Sequence, residues 1–163
     1  MTTKKLIDKY LVDLIDCVET ASDEIMQIYK SDYFGHEEKL DGSPLTIADT
    51  KSNEIIINTL KEISPDIPLI SEENFNEENL KSLSKTYWLI DPLDGTKEFI
   101  NKTDEFTVNI ALISNKKSIF GIVAAPVTGK IWHGSIFDNN EYDSNSVEKL
   151  RIVMSKSHKS DND

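Results

Sequence analysis

Residues 88–99 read Trp-Leu-Ile-Asp-Pro-Leu-Asp-Gly-Thr-Lys-Glu-Phe, an apolar run that changes abruptly to acids, proline and glycine. Three large apolar residues ending at Ile90 predict a buried strand that carries Asp91 at its end. Pro92 disfavours regular structure, so we expect strand geometry to stop there and the chain to turn. The turn would bring Asp94 beside Asp91. Two carboxylates held together repel each other unless a cation or a proton lies between them, so this stretch predicts a metal site.

Gly95 and Thr96 open the segment that follows the two acids. A ligand can approach the backbone closely at a glycine, and N–H groups that open a helical turn suit a phosphate. On chemistry alone, the stretch is therefore a candidate site for both a metal and a phosphate.

A second apolar run lies upstream at residues 67–70, and Ser-Glu-Glu follows it at 71–73. An isolated pair of glutamates is ordinarily only part of the surface. Here, however, two predicted strands both end in carboxylates, and adjacent strands in register would bring Glu72 close to Asp91. This second acidic strand end is therefore added to the candidate metal site.

Two predicted helices precede these strands. Apolar residues at spacings of three and four predict an amphipathic helix over about residues 4–30, and a loop is expected over 33–40. Thr46 is a predicted N-cap for a second helix that reaches about residue 63, with Asp49 as the acidic half of a capping box. From this pattern alone, Asp49 is a helix-capping residue.

Three strand-like segments at residues 106–113, 118–126 and 130–137 are joined by short turns, which predicts an antiparallel meander. A final short strand is expected at 151–154. We therefore predict an α+β fold in which two N-terminal helices pack on one face of a mostly antiparallel sheet.

The composition restricts the class of partner. The chain has 163 residues, enough for one domain with its own core, and a formal net charge of −11. Arg151 is its only arginine. Nucleic-acid-binding surfaces need clustered Lys and Arg, so we exclude nucleic acid as a partner. With a single guanidinium group, cations would have to supply much of the positive charge around a phosphorylated substrate.

The sequence also indicates a compartment. The single cysteine, Cys17, rules out an internal disulfide and fits a reducing cytoplasm, and a packing role is expected for its thiol. No run approaches the roughly 20 apolar residues needed to cross a membrane. Acids interrupt the N-terminal apolar stretch, so no signal peptide is predicted. We expect a cytoplasmic protein whose membrane association is at most peripheral, on the inner membrane.

These pieces together resemble the lithium-sensitive, magnesium-dependent phosphatases of the inositol monophosphatase superfamily. The resemblance rests on Thr-Ile-Ala-Asp at 46–49, Ser-Glu-Glu at 71–73 and Asp-Pro-Leu-Asp-Gly-Thr at 91–96. Within that superfamily the chain is most similar to the bacterial 3′(2′),5′-bisphosphate nucleotidases. The residues that distinguish it from the inositol phosphatases are Lys-Glu-Phe-Ile at 97–100, since inositol phosphatases usually have an asparagine-phenylalanine pair there.

The resemblance implies a role for each matching residue. Two or three Mg²⁺ ions would be held by Glu72, Asp91, Asp94 and the carbonyl of Leu93. The substrate would contact Glu72, Leu93, Asp94, Gly95 and Thr96, with the N–H groups of Gly95 and Thr96 on the scissile phosphate. The catalytic pair would be Asp49 and Thr96, which position and deprotonate the attacking water.

The resemblance also implies a reaction, namely hydrolysis of the 3′-phosphate of adenosine 3′,5′-bisphosphate to AMP and phosphate. The sulfated nucleotide 3′-phosphoadenylyl sulfate would be a second substrate, which links the protein to sulfur assimilation. Two alternatives stay open. One is an inositol or sugar monophosphatase of the same superfamily, and the other is a catalytically incomplete fragment that folds and binds metal weakly.

Members of this family carry a further aspartate ligand in a second lobe, within a Trp-Asp-x-x-Ala-type motif that this sequence lacks. We therefore expect residues 1–150 to form an N-terminal metal-binding lobe, the first lobe of the layered α/β sandwich of the sugar phosphatases. Residues 151–163 would be the start of the second lobe, which is otherwise absent. An apolar face left without that lobe predicts self-association of the chain.

Overall fold

The computed structural model describes residues 3–31, 35–38, 44–74 and 84–138. Helix α1 spans Thr3–Lys30 and helix α2 spans Ile47–Ile63, which confirms both predicted helices. The capping box at the start of α2 is also confirmed. The Thr46 hydroxyl accepts a hydrogen bond from the N–H of Ala48, and the Asp49 carboxylate accepts one from the N–H of Thr46 at 2.8 Å.

Five strands form one sheet in their order along the chain. The strands are β3 Leu69–Ser71, β4 Thr86–Asp94, β5 Thr107–Ser114, β6 Lys117–Ala125 and β7 Lys130–Ser135. Only the β3–β4 pair is parallel, and the other three pairs are antiparallel. A single 3₁₀ turn, Glu72–Asn74, follows β3, and the short helix α3, Thr96–Ile100, follows β4. The α+β class and the mostly antiparallel sheet are therefore confirmed.

The core lies between α1, α2 and one face of the sheet. Alternate residues of β4, β5 and β6 face the helices, because side chains alternate between the two faces of a strand. The fully buried side chains on that face include Trp88, Ile90, Ile110, Leu112 and Ile122, and they pack in one core with Leu14, Val18, Ile25, Ile56 and Leu60 of the helices. The opposite face carries exposed apolar side chains at Leu89, Val123 and Trp132, the last 54% exposed.

Strand β4 does not stop at Pro92, so that prediction is wrong. The strand continues to Asp94, but its register against β5 shifts between the pairs Asp91–Asn109 and Asp94–Thr107. Two residues of β4 therefore stand opposite one residue of β5, which is a β-bulge. Since the extra residue of a bulge leaves the regular ladder, proline's missing N–H is tolerated there.

The predicted loop over residues 33–40 also contains a strand. Strand β1, His36–Glu38, pairs antiparallel with strand β2, Pro44–Thr46. This pairing joins two three-residue segments, His-Glu-Glu and Pro-Leu-Thr, that are too short to show an apolar alternation, so the local pattern could not reveal it.

Some expectations fall outside the described residues, namely the strand at 151–154 and the boundary between residues 150 and 151. Cys17 lies buried in α1, as expected, and this burial raises the pKa of its thiol. Of the helices in the described ranges, none is sufficiently long and apolar to cross a membrane.

Candidate active site

The parallel pairing of β3 with β4 brings two acidic strand ends together. Ser71 at the end of β3 is the partner of Ile90 on β4. The next residues along the two strands are therefore Glu72 and Asp91, which lie side by side as predicted. Glu72 begins the 3₁₀ turn, while Asp91 stays within β4 just before the bulge.

Asp91 is the most perturbed carboxyl group of the site. Burial is the largest cause, followed by the negative charges of Glu72 and Asp94, and together they raise the pKa of Asp91 to about 8. Its Oδ1 atom is buried and has no hydrogen-bond partner in the described part of the chain. A buried carboxylate oxygen between two further carboxylates is the donor set that a hard divalent cation prefers. The residues present therefore fit a Mg²⁺ ion.

The carboxylates of the site lie close together, but they do not converge on one position that a cation would occupy. Among residues 3–31, 35–38, 44–74 and 84–138, no three side chains of His, Cys, Asp or Glu already surround one position as in a finished cation site. Asp94 is exposed and accepts a hydrogen bond from the Asn109 amide at 3.3 Å. The arrangement of the three acids is therefore open, with Asp94 accessible to solvent.

The two carboxylate oxygens of Asp49 have different partners, one at the start of helix α2 and one in the candidate site. Its Oδ2 accepts hydrogen bonds from the backbone N–H and the hydroxyl of Thr46, at 2.8 and 2.6 Å. Its Oδ1 accepts one from the hydroxyl of Thr96 at 2.9 Å. Burial raises the pKa of Asp49, and the hydrogen bonds from Thr46 and Thr96 lower it in part. The capping role read from the sequence and the contact with Thr96 are therefore both present.

The Thr96 hydroxyl lies between Asp49 and the bulge. Its Oγ1 atom is 3.2 Å from the carbonyl oxygen of Leu93 as well as 2.9 Å from Asp49. Because a hydroxyl has one proton, it donates to only one of these two acceptors at a time. These contacts place Asp49, Leu93 and Thr96 in one hydrogen-bonded group.

A loop at residues 101–106 supports the turn at Gly95, which sequence reasoning missed. Gly95 has φ +95°, and a Cβ atom there would lie 2.8 Å from the carbonyl oxygen of Glu105. The loop is tied to the end of α1, because the Tyr29 hydroxyl donates to Asp104 at 2.7 Å. The Lys102 ammonium group lies over the Tyr29 ring, and it also donates to the carbonyl oxygen of the same residue.

Aromatic packing completes this support. The rings of Tyr29, Phe99 and Phe106 pack against one another with centroids 4.9–5.3 Å apart. Phe99 belongs to α3, so the packing also fixes the helix that begins with Thr96. Aromatic residues spaced on both sides of the loop were the only signal in the sequence, and that signal does not identify the helix they contact.

The model of the inositol monophosphatase family matches residues 8–162 of this sequence. The chain belongs to the inositol monophosphatase family. The family is generally Mg²⁺-dependent, in keeping with the acidic donor set around Asp91.

Several relatives within the family have related sequences or folds. The 3′(2′),5′-bisphosphate nucleotidase CysQ of Salmonella typhimurium is 37% identical over 160 residues, covering 93% of this chain and 65% of its own length. The crystal structure of CysQ from Bacteroides thetaiotaomicron has a TM-score of 0.64 and 38% identity, covering 76% of this chain and 45% of that one.

A third relative shows the fold alone. An IMPase/NADP phosphatase complexed with Mg²⁺ and phosphate has a TM-score of 0.67 at 17% identity, covering 84% of this chain and 50% of that one. This chain thus spans about two thirds or less of the length of the family members it matches.

The structure places every residue of the predicted site within the described ranges. These residues form two groups. Hydrogen bonds join Asp49, Leu93 and Thr96, whereas electrostatic interaction couples Asp91 to Glu72 and Asp94. Gly95 connects Asp94 of the second group to Thr96 of the first. The chemical role of each residue in this family member stays a prediction.

Proposed function

We propose that this chain carries the metal- and phosphate-binding part of a Mg²⁺-dependent 3′(2′),5′-bisphosphate nucleotidase. Its substrate would be adenosine 3′,5′-bisphosphate, hydrolysed to AMP and phosphate, with 3′-phosphoadenylyl sulfate as a second substrate in sulfur metabolism. The observation that carries the proposal is the buried, unpaired oxygen of Asp91 between two further carboxylates. The identity of 37% to a nucleotidase of this activity supports the choice of substrate.

The proposed ligands of two or three Mg²⁺ ions are the carboxylates of Glu72, Asp91 and Asp94 and the carbonyl of Leu93. When bound, Mg²⁺ would supply the positive charge that phosphoryl transfer needs, in a chain whose net charge is −11 and whose only arginine is Arg151. The backbone N–H groups of Gly95 and Thr96 would bind the scissile phosphate.

Asp49 and Thr96 would act on the attacking water. Since the Thr96 hydroxyl donates to Asp49, its lone pairs can accept a hydrogen bond from a water molecule and orient it. Asp49 then receives the proton that Thr96 passes on. Burial raises the pKa of Asp49, which makes its carboxylate a better proton acceptor than an exposed aspartate.

The test is phosphate release from adenosine 3′,5′-bisphosphate and from inositol 1-phosphate, with Mg²⁺ and with added Li⁺. We expect release from the nucleotide, suppressed by Li⁺. Thr96→Val should lower the rate by about 10² because it removes the proton path, while the capping box stays intact. Thr50→Val, a matched change at an exposed position of α2, should retain the wild-type rate.

The other outcomes select the alternatives. Faster release from inositol 1-phosphate would contradict the nucleotidase proposal in favour of an inositol or sugar phosphatase. A folded chain that releases phosphate from neither substrate would be a catalytically incomplete fragment, with residues 1–150 as a metal-binding lobe and 151–163 as the start of a second.

We also propose that the open face of the sheet mediates self-association. A cleft of about 820 Å³ runs over this face, lined by Leu89, Ala111 and Val123 beside the acids of the site. Sedimentation velocity should show association that increases with concentration, and Trp132→Lys should weaken it. Val12→Lys is the matched control, because Val12 is 67% exposed on the distant helix α1. A monomer at every concentration would contradict this proposal.

We place the protein in the cytoplasm, with any membrane contact peripheral on the inner membrane. The single cysteine, which excludes an internal disulfide, supports this placement. A small phosphorylated nucleotide is the proposed partner, held through cations and not through arginine side chains.

A further inference from the structure

The buried face of α2 that points towards the candidate site is polar. Asp49, Ser52 and Asn53 occupy positions i, i+3 and i+4, which share one face of a helix, and all three are buried. Buried hydroxyl and amide groups cost free energy unless they are hydrogen-bonded. Each of the three side chains has such a partner, and each partner belongs to a different segment of the site.

Ser52 holds the bulge of β4. Its hydroxyl donates to the carbonyl oxygen of Pro92 at 2.7 Å, in a buried environment. This carbonyl lies in the stretch where the register of β4 against β5 is irregular. Helix α2 therefore supplies a donor at the point between Asp91 and Asp94 where the ladder is disrupted.

Asn53 holds the end of β3. Its Oδ1 atom accepts a hydrogen bond from the Ser71 hydroxyl at 2.6 Å. The same Ser71 oxygen accepts a longer one, 3.4 Å, from the N–H of Glu73. Glu72 lies between these two residues, so the start of the 3₁₀ turn is fastened to α2 through Asn53.

The strands alone do not fix the separation of the acids. The β3–β4 ladder comprises three residue pairs and ends at Ser71–Ile90, one residue before Glu72 and Asp91. Beyond that pair, no hydrogen bond of the β3–β4 ladder holds the two acidic segments at a set distance. Helix α2 makes one buried hydrogen bond to each of them, through Ser52 to the Pro92 carbonyl oxygen and through Asn53 to the Ser71 hydroxyl.

We propose that Ser52 and Asn53 are positioning residues that set the separation of Glu72 and Asp91, and thereby the affinity of the chain for Mg²⁺. The inference rests on the proposed function, since it takes these acids as metal ligands. Neither side chain is a proposed ligand of the metal. Groups that orient metal ligands typically change metal affinity about 10- to 100-fold when they are removed.

The experiment is titration of the 163-residue chain with Mg²⁺ by isothermal calorimetry, at a temperature where circular dichroism shows each variant folded. Asn53→Ala and Ser71→Ala should each raise the dissociation constant about tenfold. The double variant should be no weaker than the weaker single variant, because both changes remove the same hydrogen bond. Ser52→Ala should weaken binding independently of that pair.

Ser64→Ala is the matched control. The Ser64 hydroxyl is buried at the far end of α2, where it accepts from the Trp88 indole at 2.9 Å. Its loss should lower the melting temperature and leave Mg²⁺ affinity unchanged.

The outcomes separate the inference from the proposed function. Unchanged Mg²⁺ affinity in Ser52→Ala, Asn53→Ala and Ser71→Ala would overturn the inference while leaving the metal ligands in place. No binding by the wild-type chain would overturn the proposed ligands and the inference with them. If Asn53→Ala does not fold, Ser71→Ala decides the question, since it removes the same hydrogen bond from the other side.

Discussion

Replacing Asp91 with asparagine should make the metal-free protein more stable at alkaline pH. The pKa of Asp91 is raised to about 8 by burial and by the charges of Glu72 and Asp94. Because the folded pKa lies above the unfolded value of about 4, the proton on Asp91 stabilises the fold. That contribution is complete below about pH 4 and is lost as the pH rises through about 8. An asparagine side chain carries no charge at any pH, so the stability of the variant should not show this decline.

We expect the free energy of unfolding of Asp91→Asn, from urea titrations without metal, to exceed that of the wild type by about 1–3 kcal/mol at about pH 8.5. The two proteins should converge at about pH 4 and below, where Asp91 is protonated in the folded state and largely protonated in the unfolded state. Asp66→Asn, an exposed acid beyond the end of α2, should follow the wild type at both pH values. A wild-type stability that does not change over this range would contradict the electrostatic account of the site.

The same substitution should have the opposite consequence when Mg²⁺ is present. A cation that binds only the folded state stabilises the wild type, by about 2.7 kcal/mol at a concentration 100 times the dissociation constant. Asp91→Asn should lose this gain together with phosphate release. Since Mg²⁺ displaces the Asp91 proton, wild-type affinity should rise with pH up to about 8.

Gly95→Ala should be strongly destabilising. Gly95 has φ +95°, a conformation that costs an alanine about 1–2 kcal/mol. The new Cβ would also lie 2.8 Å from the Glu105 carbonyl oxygen and 3.3 Å from Phe106. The atoms of Phe106 belong to a residue whose ring packs against Tyr29, and the Glu105 oxygen is a backbone atom of the preceding residue. Moving them away from the new Cβ would therefore cost free energy. We expect a total loss of about 2–4 kcal/mol in the free energy of unfolding, measured in urea.

Two other glycines separate the causes of this loss. Gly129 has φ +64° with nothing within 4 Å of an added Cβ, so Gly129→Ala reports the cost of the conformation alone. Gly121→Ala has neither a positive φ nor a close neighbour and should be nearly neutral. If Gly95→Ala is no worse than Gly129→Ala, the loop at residues 101–106 does not restrain the turn. A displaced turn should also move Thr96 away from Asp49 and lower Mg²⁺-dependent phosphate release.

Local chemistry was sufficient to predict the helices and most of the strands. The capping box of Thr46 and Asp49 marks the start of α2 because both hydrogen bonds lie within four consecutive residues. The continuation of β4 past Pro92 was missed because proline ends a strand in most contexts. Here β4 continues past Pro92 because it pairs with β5 through a bulge, and the sequence of β4 does not reveal this pairing.

The chemistry of the site was predictable to a similar degree. A turn with two aspartates next to a Gly-Thr pair indicates a cation and a phosphate whichever fold contains it. The second role of Asp49 is different, because its contact with Thr96 joins residues 47 positions apart. The contacts of Ser52 and Asn53 were not predicted, because they too join distant residues. A serine and an asparagine in a helix ordinarily face solvent.

By itself, the sequence determined the boundaries of α1 and α2, the acidic ends of β3 and β4 and the hard oxygen donors they deliver. These features depend on the period of apolar residues and on side-chain chemistry, and both are local. The tertiary structure decided that β3 is the neighbour of β4, on which the predicted contact of Glu72 with Asp91 depends. It also decided that burial raises the pKa of Asp91 and that one face of α2 is hydrogen-bonded to both acidic segments. Those properties arise from contacts between distant parts of the chain. The order of the strands and the burial of a residue therefore cannot be deduced from the local sequence around it.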